Sequence, residues 1–267
     1  MGEIIKRKGF TVSEYDFIID NMQWSFSRLN QFCQCPYAFK KRYIDCEEGE
    51  SNALAEYGSV MHKVLEDYAK GEVDIFQLNE YYNYLFETAI EHDFPPNSYV
   101  DLRESYYNKG KEYLENINLE LERYEILGVE KEVNFEINGH KMIGFIDLLL
   151  RDKKTGEIIT NDHKSAQIKI LKNGNVSKTD KAHFEEFKKQ QYLYCKPIIE
   201  EYGKVDFLQW NLFKEQKFIK IPFLEREYEK SLKWVTDTIE QIKNEAMWLP
   251  CPNYFRCNNI CNFRNEC

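Results

Sequence analysis

The run Lys141-Met142-Ile143-Gly144-Phe145-Ile146-Asp147-Leu148-Leu149-Leu150, then the turn-forming Asp152-Lys153-Lys154-Thr155-Gly156, then Ile158-Ile159-Thr160-Asn161-Asp162-His163-Lys164, decides how this chain folds. The first segment is apolar nearly throughout, the pattern of a strand covered on both faces. A carboxylate inside such a strand needs a cation or hydrogen bonds to offset its lost hydration, and Asp147 is the residue that interrupts the run. If the turn closes symmetrically, its midpoint falls between Lys154 and Thr155, and Asp147 lies directly across from Asp162. Opposed residues of an antiparallel pair have Cβ atoms about 4.5–5.5 Å apart, close enough for two carboxylates to share one hard cation. Alternation with period two puts Lys164 on the face of Asp162 and turns His163 away. The bland reading, an exposed hairpin with a solvated lysine, leaves two like charges opposed without a cation.

Around this hairpin the period of the sequence changes twice. Ser25 or Ser27 caps a helix running through Phe32 and Phe39 toward Tyr43 with a break at Pro36, and further helices are expected over 53–70, 74–92 and 99–123. From 126 the pattern becomes that of strands over 126–137, 141–150 and 157–164, an antiparallel meander whose first turn is Asn138-Gly139. A polar loop at Asn173-Gly174-Asn175 precedes a helix from 181 to about 200, strands at 205–213 and 217–221, a charged amphipathic helix over 224–247 and a cysteine-rich tail. The expected fold is α/β, a mixed central sheet flanked by helices, in one domain over 1–267: helical over 24–125, the core over 126–222, and the last helix and tail over 223–267.

With 267 residues the chain is long enough for a full core. No apolar run approaches the ~20 residues that span a bilayer, and Met1–Lys8 lacks the apolar core of a signal peptide. Eight cysteines clustered toward one end suit metal ligation in a reducing compartment, so the expected location is the cytoplasm, away from membranes. A net charge of −9 argues against a uniformly basic nucleic-acid-binding coat. Yet from Lys164 to Lys189 seven lysines stand against three acids, a local basic wall compatible with DNA or simply a solvated face.

Gly144-x-x-Asp147 followed by Asp162-x-Lys164 resembles the core motif of the PD-(D/E)xK nuclease superfamily, with Asp at the second acid where Glu is commoner. The resemblance implies metal-dependent phosphodiester hydrolysis, in which a divalent ion activates water and neutralises phosphate charge while Lys164 orients the water. It also implies a metal contact from the backbone carbonyl of His163. Gly58-x3-His62-x3-Glu66, on a predicted helix, resembles the RecB-like branch, where such a histidine completes the metal shell; an imidazole beside Asp147 and Asp162 favours Mn²⁺ while admitting Mg²⁺. Read alone, His62 is a core histidine. Gln190 and Tyr194 are similar to the Gln-x3-Tyr pair of that branch, which contacts the phosphate; read alone, they belong to a helix whose inner face is Phe187, Gln191, Tyr194 and Ile198. Implied with the resemblance are DNA with a free single-stranded end as substrate, exonuclease action, and partners among helicases and recombination, replication or CRISPR adaptation proteins. Helices 74–123 match no motif. The rival reading is a non-catalytic DNA-binding or assembly subunit that keeps the fold and binds zinc in its tail.

The tail, Cys251-x5-Cys257-x3-Cys261-x5-Cys267, leaves its chemistry open. All four thiolates could bind Zn²⁺ locally, or hold a cluster like the loop of iron–sulfur glycosylases. A third arrangement resembles the iron–sulfur RecB-like nucleases, including AddB-type subunits and CRISPR-associated exonucleases. It implies a [4Fe–4S] cluster on Cys35, Cys257, Cys261 and Cys267, with Cys33, Cys46, Cys195 and Cys251 spare; the Cys257-x3-Cys261 spacing is one residue longer than usual in that group.

Overall fold

The computed structural model describes residues 15–171 and 176–267, together with the backbone of a two-stranded ribbon, β1 (Lys6–Arg7) and β2 (Phe10–Thr11). The expected loop at 173–175 and the side chains of Met1–Lys8 lie outside the described residues. Short α1 (Asp16–Asp20) leads to α2 (Phe26–Gln34) and α3 (Pro36–Tyr43). Ser25 is the cap of α2, its Oγ accepting from the Arg28 N–H at 3.2 Å. Pro36 opens α3 because a helix start needs no N–H there, and Cys35 stands extended in the break.

Three helices follow: α4 (Ala53–Lys70), α5 (Leu78–Ala89) and α6 (Leu102–Glu115). The last two are shorter than their apolar patterns suggest. At the start of α5, Asp74 takes the N–H of Phe76 in a local turn; beyond its end, Glu56 of α4 takes the N–H groups of Glu91 and His92. Asp101 caps α6 on Glu104, while Asn118 folds back onto the Glu120 N–H beyond its end. Short polar side chains competing for backbone groups set these limits.

The sheet has the order β3-β4-β5-β6-β7: β3 (Tyr124–Ile137), β4 (His140–Asp152), β5 (Ile158–Lys164), β6 (Phe207–Leu212) and β7 (Lys217–Pro222). Its first three strands form the expected meander, and the pairing of β5 with β6 is parallel, so the sheet is mixed. Asp152 builds the β4–β5 turn by accepting the N–H groups of Lys154 and Thr155 and the Arg123 guanidinium. Between β5 and β6 runs α7 (Lys181–Tyr202). After β7 come α8 (Glu225–Lys243), cut short of the expected end, and α9 (Tyr254–Asn259), a turn and a half of helix where only a loop was expected. Asn253 caps α9, whose six residues are too few for periodicity to register.

Residues of α2, α3, α7 and α8 form the main core on one face of the sheet, with Trp210, Leu149 and Phe135. Helices α4–α6 form a second core that includes Phe213 just beyond β6, and Ala69 of α4 packs with Leu148, Leu150 and Ile159 on the other face. Trp24 pairs with Met142 where β5 has ended, bringing the segment before α2 alongside β4. Trp248, just ahead of the tail, stacks on Phe39 at 6.0 Å and meets Phe32 edge-on, so aromatic packing already joins the two ends of the sequence. No helix among the described residues is long and apolar enough to cross a membrane.

Candidate metal centre and cysteine site

The β4–β5 ladder runs from Arg151↔Ile158 to Leu148↔Asn161. Continued by one residue, that register sets Asp147 opposite Asp162, but the backbones part there and the N–H of His163 turns to Asp147 Oδ2 at 2.6 Å. Alternation along β4 also slips at this point. Ile146 and Leu149 enter the same core, while Leu148 and Leu150 enter another. On the neighbouring strand Glu130 has φ +46°, a strained value for a residue with a side chain. Val129↔Leu148 and Lys131↔Ile146 bracket it, so Glu130 and Asp147 share this irregular step. Such local breaks re-aim side chains.

The result is a group of ligands. One atom each of His62, Glu130 and Asp147 lies within 4.8 Å of the others, with His62 Nδ1 3.5 Å from Asp147 Oδ2 and 3.9 Å from Glu130 Oε1. His62 comes from the middle of α4, whose Met61 and Leu65 are fully buried. Glu66, one turn on, faces elsewhere and pairs with Lys70 and Lys63. The acid that joins His62 and Asp147 is therefore Glu130, which the sequence reading missed. The midpoint argument applied to Asn138-Gly139 would have set it opposite Asp147.

Asp162 stands outside that group, next to Lys164, its Oδ2 2.8 Å from Lys164 Nζ. Lys164 also donates to Gln190 Oε1 at 2.8 Å, so the candidate phosphate-contacting residue and the candidate catalytic lysine are in direct contact. Tyr194, a turn later on α7, is 8% exposed and packs its ring over Gly144, where any Cβ would collide with it. Gly144 is thus required by close approach. Gln191 points into the core, holding Thr160 and the Gln209 carbonyl.

Burial, reinforced by the Asp162 carboxylate, pushes the Asp147 carboxyl well above its usual range, against the opposing pull of His62 and Lys164. Burial would lower His62, but the carboxylates of Asp147 and Glu130 outweigh it and raise the imidazole. His163 is held far below its ordinary value by burial and by its two cationic neighbours, so its ring is neutral. Two carboxylates converging with an imidazole in this way suit a divalent cation of the Mg²⁺ or Mn²⁺ class.

Cys35, Cys257, Cys261 and Cys267 line one cavity of about 350 Å³ together with Cys251, Arg42, Arg256 and Gln190. Burial raises the thiols of Cys261 and Cys267. Cys35 and Cys257 add to the effect on both, and Cys261 adds to it on Cys267. Backbone N–H groups of Cys251, Asn253 and Phe263 donate to the sulfurs of Cys35, Cys257 and Cys261 at 3.5, 3.4 and 3.4 Å. Zn²⁺ at ~2.3 Å from each thiolate would need sulfurs roughly 3.8 Å apart. Among the described residues no three of these sulfurs lie within 4.8 Å of one another. Cys195 is buried in the main core, and Cys33 and Cys46 are exposed elsewhere.

Among solved structures, a protein from Eubacterium rectale provisionally named an exonuclease is similar to this chain in fold, with 14% sequence identity, a TM-score of 0.51, and 91% of this chain and 88% of that chain covered. No curated protein matches the sequence. Residues 23–267 match the family model of the PD-(D/E)XK nuclease superfamily, whose members use divalent metals and act on DNA. With the acids, lysine and mixed sheet in the arrangement described, the chain belongs to the PD-(D/E)XK nuclease superfamily.

Proposed function

We propose that this nuclease is a divalent-metal-dependent exonuclease of the RecB-like branch, acting on single-stranded DNA ends and carrying a structural [4Fe–4S] cluster. The observation that carries the catalytic part is the convergence of His62, Glu130 and Asp147 beside the Asp162–Lys164–Gln190 chain. His62, Glu130, Asp147 and Asp162 would hold Mn²⁺ or Mg²⁺, with the His163 carbonyl as a further ligand. When bound, the ion supplies Lewis-acid chemistry and a nucleophile at neutral pH. Lys164, fixed between Asp162 and Gln190, orients the attacking water and stabilises charge that develops on the phosphate. Gln190 contacts the phosphate and, with the Tyr194 ring against Gly144, limits where the strand can lie.

The cluster reading is supported by the gathering of Cys35 with Cys257, Cys261 and Cys267 around one cavity and by three N–H···S hydrogen bonds. Four-thiolate ligation and hydrogen bonds to sulfur are ordinary features of such clusters.

The test is anaerobic purification followed by incubation of end-labelled single- and double-stranded DNA with Mn²⁺, Mg²⁺ or EDTA. Metal-dependent shortening of single strands from one end is expected. Products cut internally would refute the exonuclease reading, and no cleavage under any metal would favour a non-catalytic subunit.

A further inference from the structure

Resting on the metal-site reading above, we propose that Asn211, itself held by Tyr113, is the positioning residue that fixes His163 and through it Asp147 and His62. His163 touches the candidate metal site twice: its N–H donates to Asp147 Oδ2, and its ring meets the His62 ring edge-on with centroids 5.9 Å apart. The β4–β5 ladder has ended at Leu148↔Asn161, so no β4 carbonyl holds that N–H in place. What holds His163 comes from its other side.

There β5 runs parallel to β6, with His163 opposite Asn211. The Asn211 amide nitrogen is 2.9 Å from His163 Nδ1 and 2.6 Å from Tyr113 Oη. Asn211, His163 and Tyr113 are 0%, 3% and 4% exposed, so water cannot replace either bond. An amide that donates to Nδ1 leaves the ring proton on Nε2 and sets the ring's rotation. The other end of the amide, Oδ1, is buried without a partner. An apolar side chain would remove that deficit but leave His163 Nδ1 and Tyr113 Oη without the partner they share, so the asparagine is held in place by its two donor contacts. Tyr113 belongs to α6, one of the helices that match no nuclease motif, and through this tyrosine α6 carries the far anchor of the metal-binding strand.

The test measures Mn²⁺ affinity of the full chain by electron paramagnetic resonance, with kcat and KM on a single-stranded oligonucleotide. Asn211→Leu should weaken Mn²⁺ binding by roughly 10–100-fold, as loss of groups supporting metal ligands does, and lower kcat with KM for DNA unchanged. Tyr113→Phe should act in the same direction, less strongly. Variants that melt at lower temperature but bind Mn²⁺ with wild-type affinity would overturn the positioning role. If Asn211→Leu does not fold, Tyr113→Phe decides by the same readout. Wild-type protein that binds no more Mn²⁺ than Asp147→Asn would instead sink the metal reading and this proposal with it.

Discussion

The candidate metal centre and the cysteine site are built on opposite principles. At the metal centre, side chains rise from buried strands and a central helix, and protein groups already hold them: the His163 N–H on Asp147, Lys164 on Asp162, Gln190 on Lys164. At the cysteine site the sulfurs come from a helix break and a tail segment, and three of them receive single N–H groups at 3.4–3.5 Å. The tail is docked around them by Trp248 against Phe39, by buried Phe263, and by the Glu50 N–H on the Asn262 carbonyl. One site borrows its rigidity from the sheet. The other gathers donors from distant parts of the sequence, so a group bound there contributes directly to the stability of what it joins.

The largest expected effect tests the first half of that contrast. Asp147→Ala, Asp162→Ala and Lys164→Ala should each lower Mn²⁺-dependent cleavage of end-labelled DNA by roughly 100-fold or more while the protein remains folded, because on the proposed reading each removes a carboxylate that would hold the metal or the lysine that would orient the water. Robust cleavage by Asp162→Ala would break the site. The second half is tested by Cys35→Ser, which should remove the absorption near ~400 nm typical of iron–sulfur proteins and lower the melting temperature by more than ~5 °C. Cys251→Ser should do neither. A colourless protein that loses zinc on Cys251→Ser and tolerates Cys35→Ser would make the tail a local zinc knot.

A smaller change should follow His62→Ala: Mn²⁺-supported activity weaker by on the order of 10-fold, with a melting temperature close to wild type. Large destabilisation with normal activity per folded molecule would make His62 a core residue. The smallest effect sharpens the contrast at a carboxylate remote from both sites. Backbone N–H groups and Arg123 hold Asp152 down to about 2. Its contribution to stability is therefore fully present above the ordinary carboxylate value of ~3.9 and lost as pH falls through the lowered one. Thermal melts of wild type and Asp152→Asn should differ slightly and constantly from pH 7 to 5, then converge toward pH 2. A gap that widens on acidification would contradict this.

How far the site could be read in advance depended on the kind of interaction. The Asp147–Asp162 register followed from a symmetric five-residue turn, and the ladder that ends at Leu148↔Asn161 agrees with it. Glu130 obeyed the same rule across Asn138-Gly139, yet it stands in a strand that carries many acids, among them Glu125, Glu132 and Glu136. Periodicity could not single it out, because its aim depends on a positive φ and on the slip of alternation beside it. Glu66 lies one turn from His62 in the Gly58-x3-His62-x3-Glu66 pattern, but two lysines on its own helix claim it. Helices α5 and α6 were overextended because the side chains that end them act through single backbone hydrogen bonds, which hydrophobic patterning does not register.

The strand meander, the acids and lysine of the hairpin, a helix cap at Ser25 or Ser27 and the helix break at Pro36 were legible in the sequence. Each arises from alternation, turn chemistry or capping, and those are local properties of a few neighbouring residues. Packing in three dimensions selects which residues from distant segments meet: Glu130 with His62, Gln190 with Lys164, Tyr194 over Gly144, and Asn211 between His163 and Tyr113. These depend on the packing of α4, α6 and α7 against the sheet, where side-chain reach and burial, rather than nearness in sequence, determine the partner.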